Sequence, residues 1–298
     1  MVMDRLSNIR RRYAEEIRAA ANLRSAALVD AFATVPRERF LGPGPWQVLS
    51  AERSLWRRLT RSFHGGYRAT PDGNPKHLYQ NVLVAIDPGR HLNNGLPSGI
   101  AFWLDALDLH SGDHVLHVGC GLGYYTAVMA EVVGPAGHVV GVEIDAELAL
   151  RARENLAYLG NVEALHGDGG EGVPASFDAI FINAGVSYTR DVWLDSLKLG
   201  GRLILPLTTD EGRGGMLKVE RGERGYTAHF LSTVSVFPCV GSRDAESSRR
   251  LRGALAGGRL NSVKSLRRGG HEADDTCWLH GRGFCLSMLP VSESGEVC

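Results

Sequence analysis

From His114 to Leu207 short apolar runs alternate with amphipathic segments, and no other feature of the chain restricts the fold as much. HVLHVG, HVVGVEI, VEALHGD, FDAIFINA and GGRLILPL each read as a buried strand, while TAVMAEVVG, AELALRARENLAYLG and RDVWLDSLKLG between them read as helices. A repeated strand–helix–strand succession builds a parallel sheet covered on both faces, because each helix carries the chain back to the start of the next parallel strand. After LILPL the helices stop, and MLKVERGERGYTAHFLSTVSVF reads as two strands about a charged, glycine-containing turn. The expected class is α/β, a doubly wound and mainly parallel sheet with an antiparallel closing strand.

The flanks differ from this core. Leu6, Ile9, Tyr13, Ile17, Ala20 and Leu28 fall mostly at helical spacing among charged neighbours, predicting one or two amphipathic N-terminal helices. VPRERFLGPGPW breaks that pattern, and from there to Gly89 the turn signals predict loop with short helices. The tail from Ser242 is basic and glycine-punctuated. We therefore expect an N-terminal helical and loop region over 1–90, a ligand-binding core over 91–241 and a C-terminal extension over 242–298.

In HVLHVGCGLGYYTA, Gly119, Cys120, Gly121 and Gly123 lie between a strand and a helix, where glycine lets the backbone turn tightly and approach a ligand. The pattern is G-x-G-x-G; a dinucleotide fingerprint would need glycine where Tyr124 stands. Glu143 ends the second strand, about 20 residues past the loop, where a carboxylate accepts from both ribose hydroxyls of a nucleoside. Asp168 follows the third strand, placed to accept from an adenine amino group. Asp145, directly before AELALRARENL, is the expected cap of that helix. Loop, acid and acid at three successive strand ends make a nucleoside site.

These segments, together with FDAIFINAG and LKLGGRLILPL, resemble class I S-adenosylmethionine-dependent methyltransferases, and among them most closely the protein-L-isoaspartate O-methyltransferases. AFATVPRERFL and the late strands ending VSVFP are similar to the same family, so the resemblance runs roughly from Ala31 to Val240. It implies a Rossmann-like methyltransferase core, S-adenosyl-L-methionine as cofactor, and O-methylation of a carboxyl group on a peptide or protein. It also implies that Gly119 to Gly123 bracket the methionine part, Glu143 holds the ribose, Asp168 meets the adenine, and Asn183 in FINAG faces the reaction centre.

HLNNGLPSGIA departs from the pattern. That family's segment before the first cofactor strand typically reads G-x-T-x-S-x-P-Y. Aligned on Pro97, Asn93 stands where threonine is expected, Gly95 where serine is, and Ser98 where the aromatic is. The amides of Asn93 and Asn94 and the backbone near Gly95 retain donors for a carboxylate. The missing side chain at Gly95 would also leave room for a bulkier acceptor, so a small-molecule methyltransferase stays open, as does a non-catalytic cofactor-binding adaptor. The segment also reads as a turn into a helix capped by Ser98. A carboxylate acceptor is ionised at neutral pH and needs no general base.

Thirty-three Lys and Arg balance 33 Asp and Glu, so no net field favours nucleic acid or an anionic membrane. In the tail, RRLRGALAGGRLNSVKSLRR lacks interleaved aromatics and reads as a solvated helical face. The five cysteines are odd in number and scattered, which suits a reducing compartment; without an apolar leader or span, a soluble cytoplasmic protein is expected. His271, Cys277, His280 and Cys285 are ligand types that zinc accepts, but H-x5-C-x2-H-x4-C is no standard spacing. A Cys- and Trp-containing packing segment is expected there, and no metal.

Overall fold

The computed structural model describes residues 2–50, 66–90, 92–171, 173–236, 239–281 and 283–291. The chain divides into two compact units, the first comprising Met1–Gly112, Cys120–Gly137 and Glu147–Ala164, the second Asp113–Gly119, His138–Ala146 and Leu165–Cys298.

The first unit opens with the two expected helices, α1 (Val2–Ala21) and α2 (Ala26–Thr34). Their apolar faces bury Tyr13, Ile17, Leu28 and Phe32. Ser25 caps α2 by accepting from Leu28 N at 3.2 Å. The next stretch corrects the expectation of loop and short helices. It does contain short 3-10 turns, but it also forms an antiparallel sheet in the order β2-β1-β3-β4 from β1 (Gln47–Ser50), β2 (Arg68–Ala69), β3 (Val82–Asp87) and β4 (Leu92–Asn93). Three of these strands span four residues or fewer, too short for a period-two pattern to stand out, and residues 51–65 lie outside the described set. Trp46, Leu78, Val82 and Val84 form the small core beneath them.

Ser98 does not cap its helix. Helix α3 (Pro97–Leu107) begins one residue earlier, with Leu96 at the cap and Pro97 in the first turn, where its missing N–H costs nothing. Ser98 instead pairs with Asn81, accepting from Nδ2 at 2.9 Å and donating its amide to Oδ1 at 3.1 Å. Helix α4 (Tyr124–Val133) also belongs to this unit, as does all of α5 (Ala146–Leu156) after its first residue.

The described strands also form a ten-stranded sheet, ordered β13-β14-β12-β11-β10-β9-β8-β5-β6-β7. Its members are β5 (His114–Val118), β6 (His138–Glu143), β7 (Val162–His166), β8 (Phe177–Ile182), β9 (Leu197–Thr208), β10 (Arg213–Gly222), β11 (Gly225–Ser235), β12 (Ser265–Arg268), β13 (Cys277–His280) and β14 (Phe284–Ser287). β5 pairs in parallel with β6 and β8, and β8 with β9; β10 and β11 then run antiparallel, as the charged turn predicts. The expected α/β class with a mainly parallel core is the one observed.

Two expectations are corrected here. RDVWLDSLKLG is helical only over α6 (Asp191–Ser196); Leu197 already pairs with Phe177, and Lys198 reaches Asp178 at 2.7 Å, so the sheet takes the end of the segment. The helical face expected over RRLRGALAGGRLNSVKSLRR forms only in the first part of that run, whose end is strand. Asp244 accepts from Ser247 N at 2.8 Å and caps α7 (Ala245–Ala256), and β12, β14 and β13 then lengthen the same sheet. Phe177, Trp193, Leu205, Phe230, Leu251 and Trp278 belong to one buried cluster, so residues of the tail share the core of the parallel strands. No helix among the described residues is long and apolar enough to cross a membrane.

Arg37 is fully buried in the first unit. Its guanidinium donates to the carbonyls of Leu78 (2.6 Å), Gln80 (3.2 Å) and Val82 (2.7 Å) and to Asn94 Oδ1 (3.3 Å), and it lies 5.9 Å from the ring centres of Tyr13 and Tyr124. Arg37→Met keeps most of the volume but leaves buried carbonyls without donors. It should lower stability by about 3 kcal/mol, seen as a lower urea midpoint at unchanged slope. A midpoint equal to the parent's would show that these bonds carry no net stability.

Candidate functional site

The chemistry-bearing residues of the second unit stand at neighbouring strand ends. β8, β5, β6 and β7 are adjacent, and at or just past their ends come Asn183, Gly119, Glu143 (the last residue of β6) and Asp168. Backbone bonds tie these ends together: Asn183 N donates to Val118 O at 2.8 Å, Gly119 N to Val142 O at 2.8 Å, and Gly167 N to Glu143 O at 3.0 Å. Open α/β sheets bind ligands at this end of their parallel strands.

Gly119 leaves β5 with φ +76°, and Gly121 and Gly123 follow at +56° and +91°. These left-handed conformations favour glycine. At Gly121 an added Cβ would meet nothing within 4 Å, so the backbone there is open to a ligand. At Gly123 the requirement is packing within the first unit, since a Cβ would lie 2.7 Å from Leu156 Cδ1. Asn155 Nδ2 donates to Leu122 O at 3.0 Å and holds this part of the loop. Gly123 caps α4 without a side chain. Cys120 between the glycines is buried, and its Sγ donates to Gly121 O at 3.9 Å.

Glu143 is 8 % exposed, a carboxylate held inside a strand end, which is an uncommon place for a charge without a task. Its Oε1 accepts from Asp145 N at 3.1 Å, which fixes the turn before α5. Asp168 Oδ1 accepts from Gly170 N at 2.8 Å. Arg190 grips the other side of that residue, donating to Gly170 O from Nε (2.9 Å) and Nη2 (2.7 Å), while Trp193 Nε1 donates to Gly169 O at 2.7 Å. A Cβ on Gly241 would overlap Asp168 Oδ2, so the start of the tail passes against this carboxylate. Arg190, Trp193 and Gly241 are positioning residues that no motif marks. Their only sequence signal is an Arg and a Trp flanking the start of a short helix.

Within the first unit, Asn93 Oδ1 accepts from Gly95 N at 2.9 Å, closing a tight turn. Asn94 Oδ1 accepts from Val84 N (3.0 Å) and from Arg37, so its amide oxygen is committed to holding β3. Gly95 has φ +77°, and a Cβ there would meet Ile100 Cγ1 at 3.1 Å and Tyr125 Cε2 at 3.6 Å. The space beside Gly95 is therefore already filled, and the glycine is required by the backbone rather than by a larger acceptor. Tyr125 OH donates to Gly95 O at 3.4 Å. Arg37, which positions this segment through Asn94, carries no mark in the sequence beyond its place in VPRERFL.

Within the second unit the strand ends carry the chemistry an adenosyl cofactor requires: Gly119 with a left-handed backbone, the buried acid Glu143 at the next strand end, and a second acid, Asp168, beyond it. Comparison with known proteins agrees. The family model for Protein-L-isoaspartate(D-aspartate) O-methyltransferase (PCMT) matches residues 71–244. Protein-L-isoaspartate O-methyltransferase of Ignicoccus hospitalis is 38% identical over 170 residues, 55% of this chain and 80% of that protein. A solved protein-L-isoaspartate O-methyltransferase superposes with a TM-score of 0.63 at 24% identity, covering 87% of this chain and 72% of its own. A putative one from Plasmodium falciparum, in complex with S-adenosyl-L-homocysteine, gives 0.57 at 18% identity over 77% and 97%. The protein is an S-adenosylmethionine-dependent methyltransferase. It belongs to the protein-L-isoaspartate(D-aspartate) O-methyltransferase family, and neither the small-molecule nor the adaptor reading is favoured.

Glu143→Ala should weaken S-adenosylhomocysteine binding at least about tenfold, because a charge-assisted bond to a ribose hydroxyl is lost. Isothermal titration reads this directly, and parent-like affinity would remove Glu143 from the site.

Proposed function

We propose that this chain transfers the methyl group of S-adenosylmethionine to the free α-carboxylate of isoaspartyl residues in peptides or proteins. One observation carries the cofactor half of the proposal: Gly119, buried Glu143 and Asp168 occupy three successive strand ends on β5, β6 and β7. In this reading Gly119, Cys120, Gly121 and Gly123 surround the methionine portion, Glu143 accepts from the ribose hydroxyls, and Asp168 accepts from the adenine amino group. The acceptor half rests on family membership, with Asn93, Asn94, Gly95 and Asn183 as the residues that meet it.

The cofactor supplies a methyl group on a positively charged sulfur, which leaves as a neutral thioether. The acceptor carboxylate is already ionised at neutral pH, so the protein need not remove a proton. Its task is to hold the two partners in line; rigid placement converts a bimolecular displacement into an effectively unimolecular one. With the cofactor bound, exclusion of water would strengthen the attraction between its sulfonium and the acceptor carboxylate. The turn closed by Asn93 Oδ1 and Gly95 N, and the Arg37 clamp on Asn94, supply rigidity on the acceptor side.

Both hydroxyls that the family pattern places in this segment are absent. Donors remain in the Asn93 carboxamide and in the backbone around Gly95. Because Gly95 is left-handed and packed against Ile100, Gly95→Ser introduces strain along with its hydroxyl, and Asn93 is the better probe.

Incubation with S-adenosylmethionine should place one base-labile methyl ester on an isoaspartyl peptide and none on the same peptide with normal aspartate. Asn93→Ala should raise the KM for that peptide several-fold. Mass spectrometry of both peptides decides the matter, and equal labelling or no labelling of the isoaspartyl peptide would overturn this acceptor.

A further inference from the structure

The tail brings together a second set of chemically potent side chains, beyond the residues matched by the family model. His271 lies in the connection between β12 and β13, Cys277 and His280 bound β13, and Cys285 is on β14. β13 and β14 pair antiparallel with His280 opposite Cys285, so the hairpin register itself places one imidazole beside one thiol. One donor atom from each of the four residues lies within 4.8 Å of the other three.

The segment packs into the core through Trp278, Leu279, Phe284 and Leu286, as expected, but packing alone does not explain its four ligand-type side chains. His271 Nε2 stands 3.4 Å from Cys277 Sγ, and the two imidazole rings meet edge to face with centres 4.7 Å apart. Zinc bonds of about 2.3 Å to sulfur and 2.0–2.1 Å to nitrogen require tetrahedron edges of roughly 3.3–3.8 Å, and the His271–Cys277 separation is such an edge. A single His–Cys hydrogen bond would account for that pair alone, not for all four converging. His280 Nδ1 is buried and has no hydrogen-bond partner among the described residues, and Cys285 is fully buried. Gathering two imidazoles and two thiols around an unmet buried nitrogen is costly unless something satisfies them.

We propose that His271, Cys277, His280 and Cys285 bind one zinc ion that pins the β13–β14 hairpin and the preceding connection at the edge of the sheet. On binding, each thiol loses its proton to solvent, and two thiolates with two neutral imidazoles balance the dication. Arg267, opposite Cys285 on β12, adds positive charge beside the thiolates, and Asp274 Oδ1, 3.6 Å from Cys277 Sγ, faces the cluster from the connection. Two histidines and two cysteines leave no coordination position for substrate, so the ion is structural.

The full chain, purified without chelator, should contain one equivalent of zinc by elemental mass spectrometry, falling to background in Cys277→Ser and Cys285→Ser and unchanged in Cys239→Ser. Replacing zinc with cobalt in the parent tests the site without relying on folded variants: intense visible bands with a thiolate charge-transfer band mark tetrahedral sulfur ligation. Stripping the metal should lower the melting temperature. A zinc-free parent, a weak octahedral cobalt spectrum, or a Cys277–Cys285 disulfide in the protein alkylated before reduction would each overturn the proposal.

Discussion

Three backbone hydrogen bonds just beyond the strands hold the proposed cofactor-binding edge of the second unit in place: Asn183 to Val118, Gly119 to Val142, and Gly167 to Glu143. They continue the sheet ladder past the regular strands, so the three loops bearing Asn183, the glycines and Asp168 leave from tied points. A row of functional groups on one rigid edge is then a consequence of strand order β8-β5-β6-β7 and of parallel pairing. Further bonds set the finer positions. Arg190 and Trp193 fix the two carbonyls after Asp168, and Asp145 fixes the turn after Glu143.

The segment proposed to meet the acceptor depends on a different device. Arg37 sits in the first unit without exposure, and its two terminal nitrogens donate to three carbonyls and to Asn94. A guanidinium suits this work because its fixed fork of five donors satisfies several acceptors at once without losing its charge. Asn94, held by Arg37 and by Val84, anchors the turn that Asn93 and Gly95 close. The departure of HLNNGLPSGIA from the family pattern is thus more than a loss of hydroxyls, because its glycine is demanded by a left-handed backbone packed on Ile100 and Tyr125.

Most core strands and their helices are legible in the sequence because a buried strand is largely apolar and a helical crossover has its own period; VEALHGD is the exception, since β7 buries only Ala164 and no helix follows it before β8 among the described residues. Glu143, Asp168 and the three glycines are legible because their chemistry repeats at successive strand ends. The small sheet β1–β4 escapes notice since two-residue strands carry no period, and α6 is overestimated because LKLG is apolar enough for either element while the parallel pairing of Leu197 with Phe177 decides it. Arg37, Arg190 and Gly241 act through contacts distant in sequence. Residue type alone does not distinguish a buried arginine from a solvated one; likewise His271, Cys277, His280 and Cys285 are visible as ligand types, but their convergence depends on the pairing of β13 with β14 and on the course of the connection that carries His271.

The most direct test of the cofactor site is a crystal structure of the full chain with S-adenosylhomocysteine. Both ribose hydroxyls should lie on the Glu143 carboxylate, the adenine amino group at Asp168, and the homocysteine portion along the backbone from Gly119 to Gly123. A nucleoside bound away from Glu143 and Asp168, or one whose ribose contacts other residues, would contradict this site.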